Sequence, residues 1–300
     1  MAILVVGATG NVGGQIVGGL RQQKRQVRAL VRGGGSHPRA QGLRDMSVEI
    51  VDGDLTRPDS LDSACRGVET VITTATSMPT GANDGLRRVD LEGTLALIAA
   101  AERAQVKKFV YVSYSGNIQE ECPLSTAKRS CEERLLKGPM KAVVLRPSYF
   151  MEVWLSPALG FDALNGSARI YGSGDGKVSY ISAGDVANFA VAAATRDHSG
   201  KNTILEMGGP EPHSQLDCVH IFERALGNKI KVDFVPAEAL QEQYKSTDPL
   251  QKTFAALMLG YNKGDVIDGA QSRAEEYGVR LRSVKQYAAD VAKQRTANVA

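Results

Sequence analysis

Three glycines near the start of the chain have types and spacing suited to holding a phosphate. Gly7, Gly10 and Gly13 lie in the stretch Gly7-Ala8-Thr9-Gly10-Asn11-Val12-Gly13-Gly14, after the apolar run AILVV and before QIVGGL. That order predicts a strand, a tight turn and a helix. One glycine permits the turn, one lets a pyrophosphate approach the backbone without meeting a side chain, and one lets the helix pack close to the strand. The unpaired N–H groups of the first helical turn then point at the phosphates. Gly7, Thr9, Gly10, Asn11, Val12 and Gly13 are therefore the expected binders of a dinucleotide pyrophosphate.

Roughly 20 residues beyond such a loop, an acidic residue at the end of strand two commonly holds a ribose 2′-hydroxyl. Here Val31-Arg32-Gly33-Gly34-Gly35-Ser36 has no acid. A carboxylate would repel a 2′-phosphate, whereas a guanidinium can make paired charge-assisted hydrogen bonds to it. NADP is thus the expected cofactor and NAD the alternative, with Arg32 as the reader and Ser36 and Arg39 as helpers. The competing reading of Arg32 is a solvated charge at a strand end. Asp54 and Leu55 in DGDL follow strand three, where a carboxylate can accept from an adenine amino group and a leucine can cover the ring. A turn-forming aspartate is the alternative for Asp54. Thr74, Ala75 and Thr76 in TTATS follow strand four and would pass the ribose and nicotinamide.

These residues need a scaffold, and the sequence supplies one. Short β-branched apolar runs at 2–6, 26–31, 48–52, 70–74, 108–113 and 142–146 read as buried strands, with helical patterns between them, clearest at 87–105 and 126–137. Such alternation predicts an α/β fold, a doubly wound parallel sheet with right-handed crossovers. Residues 1–150 form the expected nucleotide-binding core. Residues 151–300 form a mixed segment that returns partly to that core and builds a smaller C-terminal lobe on the substrate side. Its expected elements are a strand and turn at 169–174, a helix at 183–195 with Asp185 near its start, a strand at 203–209, a helix at 216–226, a strand at 229–235 and helices beyond.

The 300 residues are 43% apolar, enough for a large core, and no run approaches the ~20 apolar residues of a membrane span. The N-terminus lacks a signal-peptide pattern, so the expected location is cytoplasmic. The net charge is +3, with 20 Lys and Arg against 15 Asp and Glu in residues 1–150 and 16 against 18 in 151–300. The basic stretch RQQKRQVRALVR has no interleaved aromatics, so direct contact with nucleic acid is not expected. Cys65, Cys122, Cys131 and Cys218 lie far apart without metal-ligand spacing, and His37, His198, His213 and His220 are scattered, so no metal site and no Ser-His-Asp set is expected.

Several motifs in order, GATGNVG, VRG, GDL, VDLEGT, VKKFVYVSYSG, LRPSYFME and SAGDVA, together resemble the extended and atypical short-chain dehydrogenase/reductase superfamily, most closely its NmrA-like branch. The resemblance covers roughly residues 2–210 and is strongest in the first half. It implies a Rossmann-type domain and NAD(P) binding, in a group that holds reductases of quinones, triphenylmethane dyes and plant phenolics as well as inactive cofactor sensors. In typical members a Tyr-x-x-x-Lys pair works together: the tyrosine exchanges the substrate proton, and the lysine holds the nicotinamide ribose.

The segment PLSTAK keeps the lysine, Lys128, and has Leu124 at the tyrosine position. Four residues apart on a helix, the two share a face. The resemblance assigns Lys128 to the ribose hydroxyls, while the bland alternative is a surface lysine paired with Glu132. A reductase can dispense with a tyrosine acid when its acceptor carries the new electron pair as a delocalised anion, as quinones and conjugated enones do, or is neutralised by the hydride, as cationic dyes are. Ser113 and Ser115 near the end of strand five, Tyr114 between them, and Tyr149 after strand six are the other candidates for the chemistry. The expected function is an NADPH-dependent oxidoreductase acting on a small conjugated molecule, with no membrane contact. A non-enzymatic redox sensor or assembly factor with a protein partner is the alternative, a homodimer stays open, and nucleotide-sugar epimerase or dehydratase chemistry ranks third.

Overall fold

The computed structural model describes residues 2–78, 84–196 and 202–297. Its strands are β1 Ala2–Val6, β2 Val27–Val31, β3 Glu49–Asp52, β4 Val68–Thr73, β5 Lys108–Val112, β6 Lys141–Pro147, β7 Phe161–Asp162, β8 Ser167–Tyr171, β9 Thr203–Met207 and β10 Lys231–Val235. The helices are α1 Asn11–Gln22, α2 Ala40–Asp45, α3 Leu61–Cys65, α4 Thr94–Arg103, α5 Pro123–Leu136, α6 Met151–Trp154, α7 Ala183–Thr195, α8 Gln215–Leu226, α9 Ala237–Tyr244, α10 Pro249–Lys263, α11 Ala270–Tyr277 and α12 Val284–Ala297. No helix among the described residues is long and apolar enough to cross a membrane.

The first compact unit comprises residues 1–114, 122–146 and 186–205. It holds a seven-stranded sheet ordered β3-β2-β1-β4-β5-β6-β9, and every pairing from β3 to β6 is parallel. This is the Rossmann-type, doubly wound arrangement. Its strands are apolar on both faces because helices cover both: Leu4, Val5, Val71, Phe109, Val110, Val143 and Val144 are wholly buried. Order reverses between β1 and β4, and a ligand crevice is expected beyond the carboxyl ends of the strands at that point. Thr74 N–H donates to Val6 O at 3.0 Å there, so the loops after β1 and β4 start side by side.

The predicted helix over 87–105 is two elements, a π-helical segment Leu86–Gly93 running into α4. Its close neighbour explains the need for glycine at 93, where a Cβ would lie 2.7 Å from both the Cβ and the backbone oxygen of Leu55. The helix expected at 126–137 begins three residues earlier. Cys122 caps it, its sulfur accepting from Ser125 N–H at 3.4 Å, and Pro123 takes the first position, where its missing N–H costs nothing.

The second unit comprises residues 115–121, 147–185 and 206–300. It has a small sheet ordered β10-β8-β7, parallel between β8 and β10 and antiparallel between β7 and β8. An aromatic cluster fills it. Tyr149 meets Trp154 edge-on at 4.4 Å and Tyr261 at 5.0 Å, and the wholly buried Tyr180 hydroxyl bonds that of Tyr261. α8 and α12 pack through Phe222 and Tyr287, 6.1 Å apart. The expected strand at 229–235 is shortened to β10, and that at 203–209 to β9.

Candidate functional site

Gly7 has φ of +88°, a conformation that suits glycine, and turns the chain out of β1. Gly10 N–H closes the loop on Gly7 O at 2.9 Å, and α1 starts at Asn11 with no side-chain cap and no acidic residue in its first turn. The amides of Asn11, Val12 and Gly13 precede the first helical hydrogen bond, Gly14 N–H to Gly10 O at 2.9 Å, and are left for an anion. Gly13 lies against β1's end, where even a methyl group would overlap the Gly7 carbonyl. A phosphate-bearing ligand fits this cradle, since it offers donors and a side-chain-free approach.

Arg32 is exposed at the tip of β2 and makes no ion pair among the described residues. Gly33 and Gly34, with φ of +74° and +52°, turn the chain away after it. The Arg39 guanidinium reaches back to Thr9 O, which brings a second cation to the rim of the glycine loop. Asp54 Oδ1 accepts from Thr56 N–H at 2.8 Å and Thr56 Oγ at 2.9 Å, so one carboxylate oxygen closes a turn, while Leu55 is buried. Thr74 and Ala75 are half-buried beside the glycine loop and Thr76 is exposed.

Lys128 is buried. Its Nζ lies 3.7 Å from Asp90 Oδ1, 3.4 Å from Val112 O and 5.2 Å from the centre of the Tyr111 ring. This corrects the alternative of a surface lysine paired with Glu132. Leu124, one turn earlier, is also buried. Asp90 is wholly buried, and its Oδ2 accepts from Ser77 N–H at 2.9 Å and Ser77 Oγ at 2.7 Å. Burial pushes the Tyr111 hydroxyl well above its usual range and the Cys131 thiol up to about 11, so both neighbours are uncharged at neutral pH. Ser77 closes the TTATS stretch expected to pass the ribose and nicotinamide, whereas Asp90 does not stand out in the sequence as a site residue, although VDLEGT puts an acid in a helix that must be buried on one side.

Ser113 Oγ donates to Glu132, which also takes Arg129 and Arg146. Glu132 is therefore a buried hub tying α5 to the ends of β5 and β6. Glu132→Gln removes the buried charge that Arg129 and Arg146 share and should lower stability by roughly 2 kcal/mol. Urea denaturation checks this, and an unchanged midpoint would remove the hub role. Burial raises the Tyr114 hydroxyl to about 12, and the Arg129 guanidinium lies over the Tyr114 ring at 4.6 Å.

Tyr149 belongs to the second unit, where its hydroxyl donates to Leu257 O at 3.1 Å. Ser115, in the same unit, donates to Asp265 Oδ1 at 2.8 Å, and burial raises the Asp265 carboxyl above its ordinary range. The four cysteines are buried and free, and His198 lies outside the described residues. Within the first unit the fold thus assembles the glycine loop, Arg32, Arg39, Asp54, the loop after β4, Lys128 and Ser113.

Comparison with known proteins agrees with this architecture. The photosystem II assembly factor Ycf39 of Trieres chinensis is 30% identical over 238 residues, 79% of this chain and 72% of that protein. An NAD(P)H azoreductase of Xenophilus azovorans is 28% identical over 80% of this chain and 79% of its own. Among solved structures, the NADPH complex of the Escherichia coli quinone oxidoreductase QOR2 superposes with a TM-score of 0.78 at 20% identity, covering 96% of this chain and 99% of that one. The model of the NmrA-like family matches residues 1–286, well past the residue-210 limit read from motifs, and the chain belongs to that family.

Proposed function

We propose that the chain is an NADPH-dependent oxidoreductase that passes hydride to a conjugated acceptor, such as a quinone, a dye or an enone, without the usual catalytic tyrosine. The observation that carries this reading is Lys128, buried and ion-paired beside Leu124 on the helix face where the superfamily's couple stands. The azoreductase and quinone oxidoreductase likenesses support it.

Bound NADPH would supply the hydride. The first-turn amides of α1 hold the pyrophosphate, and Arg32, with Arg39 at the rim, meets the 2′-phosphate. Lys128 holds the nicotinamide ribose and Leu124 leaves an apolar wall that offers no proton. A quinone or enone therefore takes the hydride, spreads the new electron pair over its conjugated system as an anion and draws its proton from water, while a cationic dye is neutralised by the hydride and needs no proton. A simple ketone fails here because its alkoxide must be protonated as it forms.

The test is NADPH oxidation by the purified chain with a panel of quinones, azo and triphenylmethane dyes, enones and simple ketones. Acceptor-dependent turnover is expected for the conjugated compounds and none for the ketones. Tight NADPH binding with no acceptor faster than background would favour a second reading, supported by the Ycf39 likeness: a coenzyme-binding assembly factor that presents different surfaces with NADP+ and NADPH.

A further inference from the structure

The carboxylate of Asp90 is wholly buried. Its Oδ2 is held twice by Ser77, in the loop after β4, and its Oδ1 takes no hydrogen bond but faces Lys128 Nζ at 3.7 Å. It sits in the π-helical segment, a local widening that recurs at functional sites. An isolated buried charge is costly, so each member of the pair depends on the other. Together they present almost no net charge.

This matters for a nicotinamide because its ring is neutral in the reduced coenzyme and carries a positive charge in the oxidised one. A lone ammonium beside it would disfavour NADP+, and a lone carboxylate would favour it. We propose that Asp90 is a positioning residue that sets the balance between oxidised and reduced coenzyme: it cancels the charge of Lys128 and, through Ser77, ties the lysine's helix to the loop after β4. The assignment rests on the reading above, in which the glycine loop holds a nicotinamide coenzyme with Lys128 at its ribose.

The experiment is calorimetric titration of the full chain with NADP+ and with NADPH, comparing the ratio Kd(NADP+)/Kd(NADPH). Asp90→Asn leaves Lys128 uncompensated and should raise that ratio on the order of five-fold, the size expected for one unit charge several ångströms away in a partly screened site. Lys128→Met leaves Asp90 alone and should lower it by a similar factor. The double variant should return close to the wild-type ratio. A merely structural role would weaken both coenzymes together and leave the ratio alone. Ratios within two-fold of wild type in both single variants, or shifts in the same direction, overturn the assignment. If Asp90→Asn does not fold, the sign of the Lys128→Met shift decides. Failure of the wild-type chain to bind either coenzyme sinks the coenzyme reading itself, and this assignment with it.

Discussion

Gly13→Ala should weaken NADPH binding by more than about 100-fold and destabilise the fold by about 3 kcal/mol. The added Cβ would sit 2.0 Å from Gly7 O, 2.6 Å from Gly7 C and 3.0 Å from Ala8 N, all backbone atoms. A flexible side chain could swing aside, but the end of β1 cannot, because Leu4, Val5 and Val6 are buried on both faces of the sheet. α1 must then move outward, and the amides aimed at the phosphates move with it. Gly14→Ala is the control. Its Cβ would meet nothing nearer than Ala8 O at 3.5 Å, an ordinary contact, and alanine in a helix should raise stability by roughly 0.5–1 kcal/mol. Calorimetric titration and urea denaturation of the two variants check the pair. Near-normal affinity in Gly13→Ala would show that the phosphates are not held at this loop.

That glycine was legible because its role is local: a strand, a turn and a helix in immediate succession leave few alternatives. The sheet was legible for a related reason. Strands buried on both faces read as apolar β-branched runs, and all six expected in the first half coincide with β1 to β6 within two residues at either end. What periodicity cannot register is an extra residue within a turn of helix. Residues 87–105 read as one helix, and the π-helical opening appears only once Gly93 is seen against Leu55.

Side-chain partners were less legible than elements. The spacing of Lys128 and Glu132 suits an i,i+4 pair, yet the fold sends the lysine to Asp90 and fills Glu132 with Ser113, Arg129 and Arg146. Both outcomes depend on residues distant in sequence that arrive only when helices and strand ends meet. Asp90 escaped notice because an aspartate in an amphipathic helix ordinarily faces water. A buried acid announces itself only through its partners, here Ser77 and Lys128. Asp54 shows the opposite case, where the turn-forming alternative to an adenine contact is local and is present, with Thr56 as the partner.

Arg32→Glu should reverse the coenzyme preference, lowering affinity for NADPH by about 100-fold while leaving that for NADH within a few-fold. Charge-assisted hydrogen bonds contribute ~1.5–3 kcal/mol each when both partners are fixed. The substitution also sets a carboxylate against the 2′-phosphate, so repulsion adds to the lost attraction. Arg32 is available for this role, being exposed and without an ion pair among the described residues, while the nearby Asp52 is engaged by Arg57 at 3.8 Å. Arg39 is spoken for in part by Thr9 O, and Arg39→Ala should cost NADPH only about five-fold. NADH lacks the phosphate and gains nothing from either arginine, so it reports whether the loop itself survives each change. Dissociation constants for both coenzymes, measured over a range of salt, complete the test, since the NADPH advantage should shrink as ionic strength rises. An Arg32→Glu variant that keeps its NADPH to NADH ratio would move 2′-phosphate recognition away from the tip of β2.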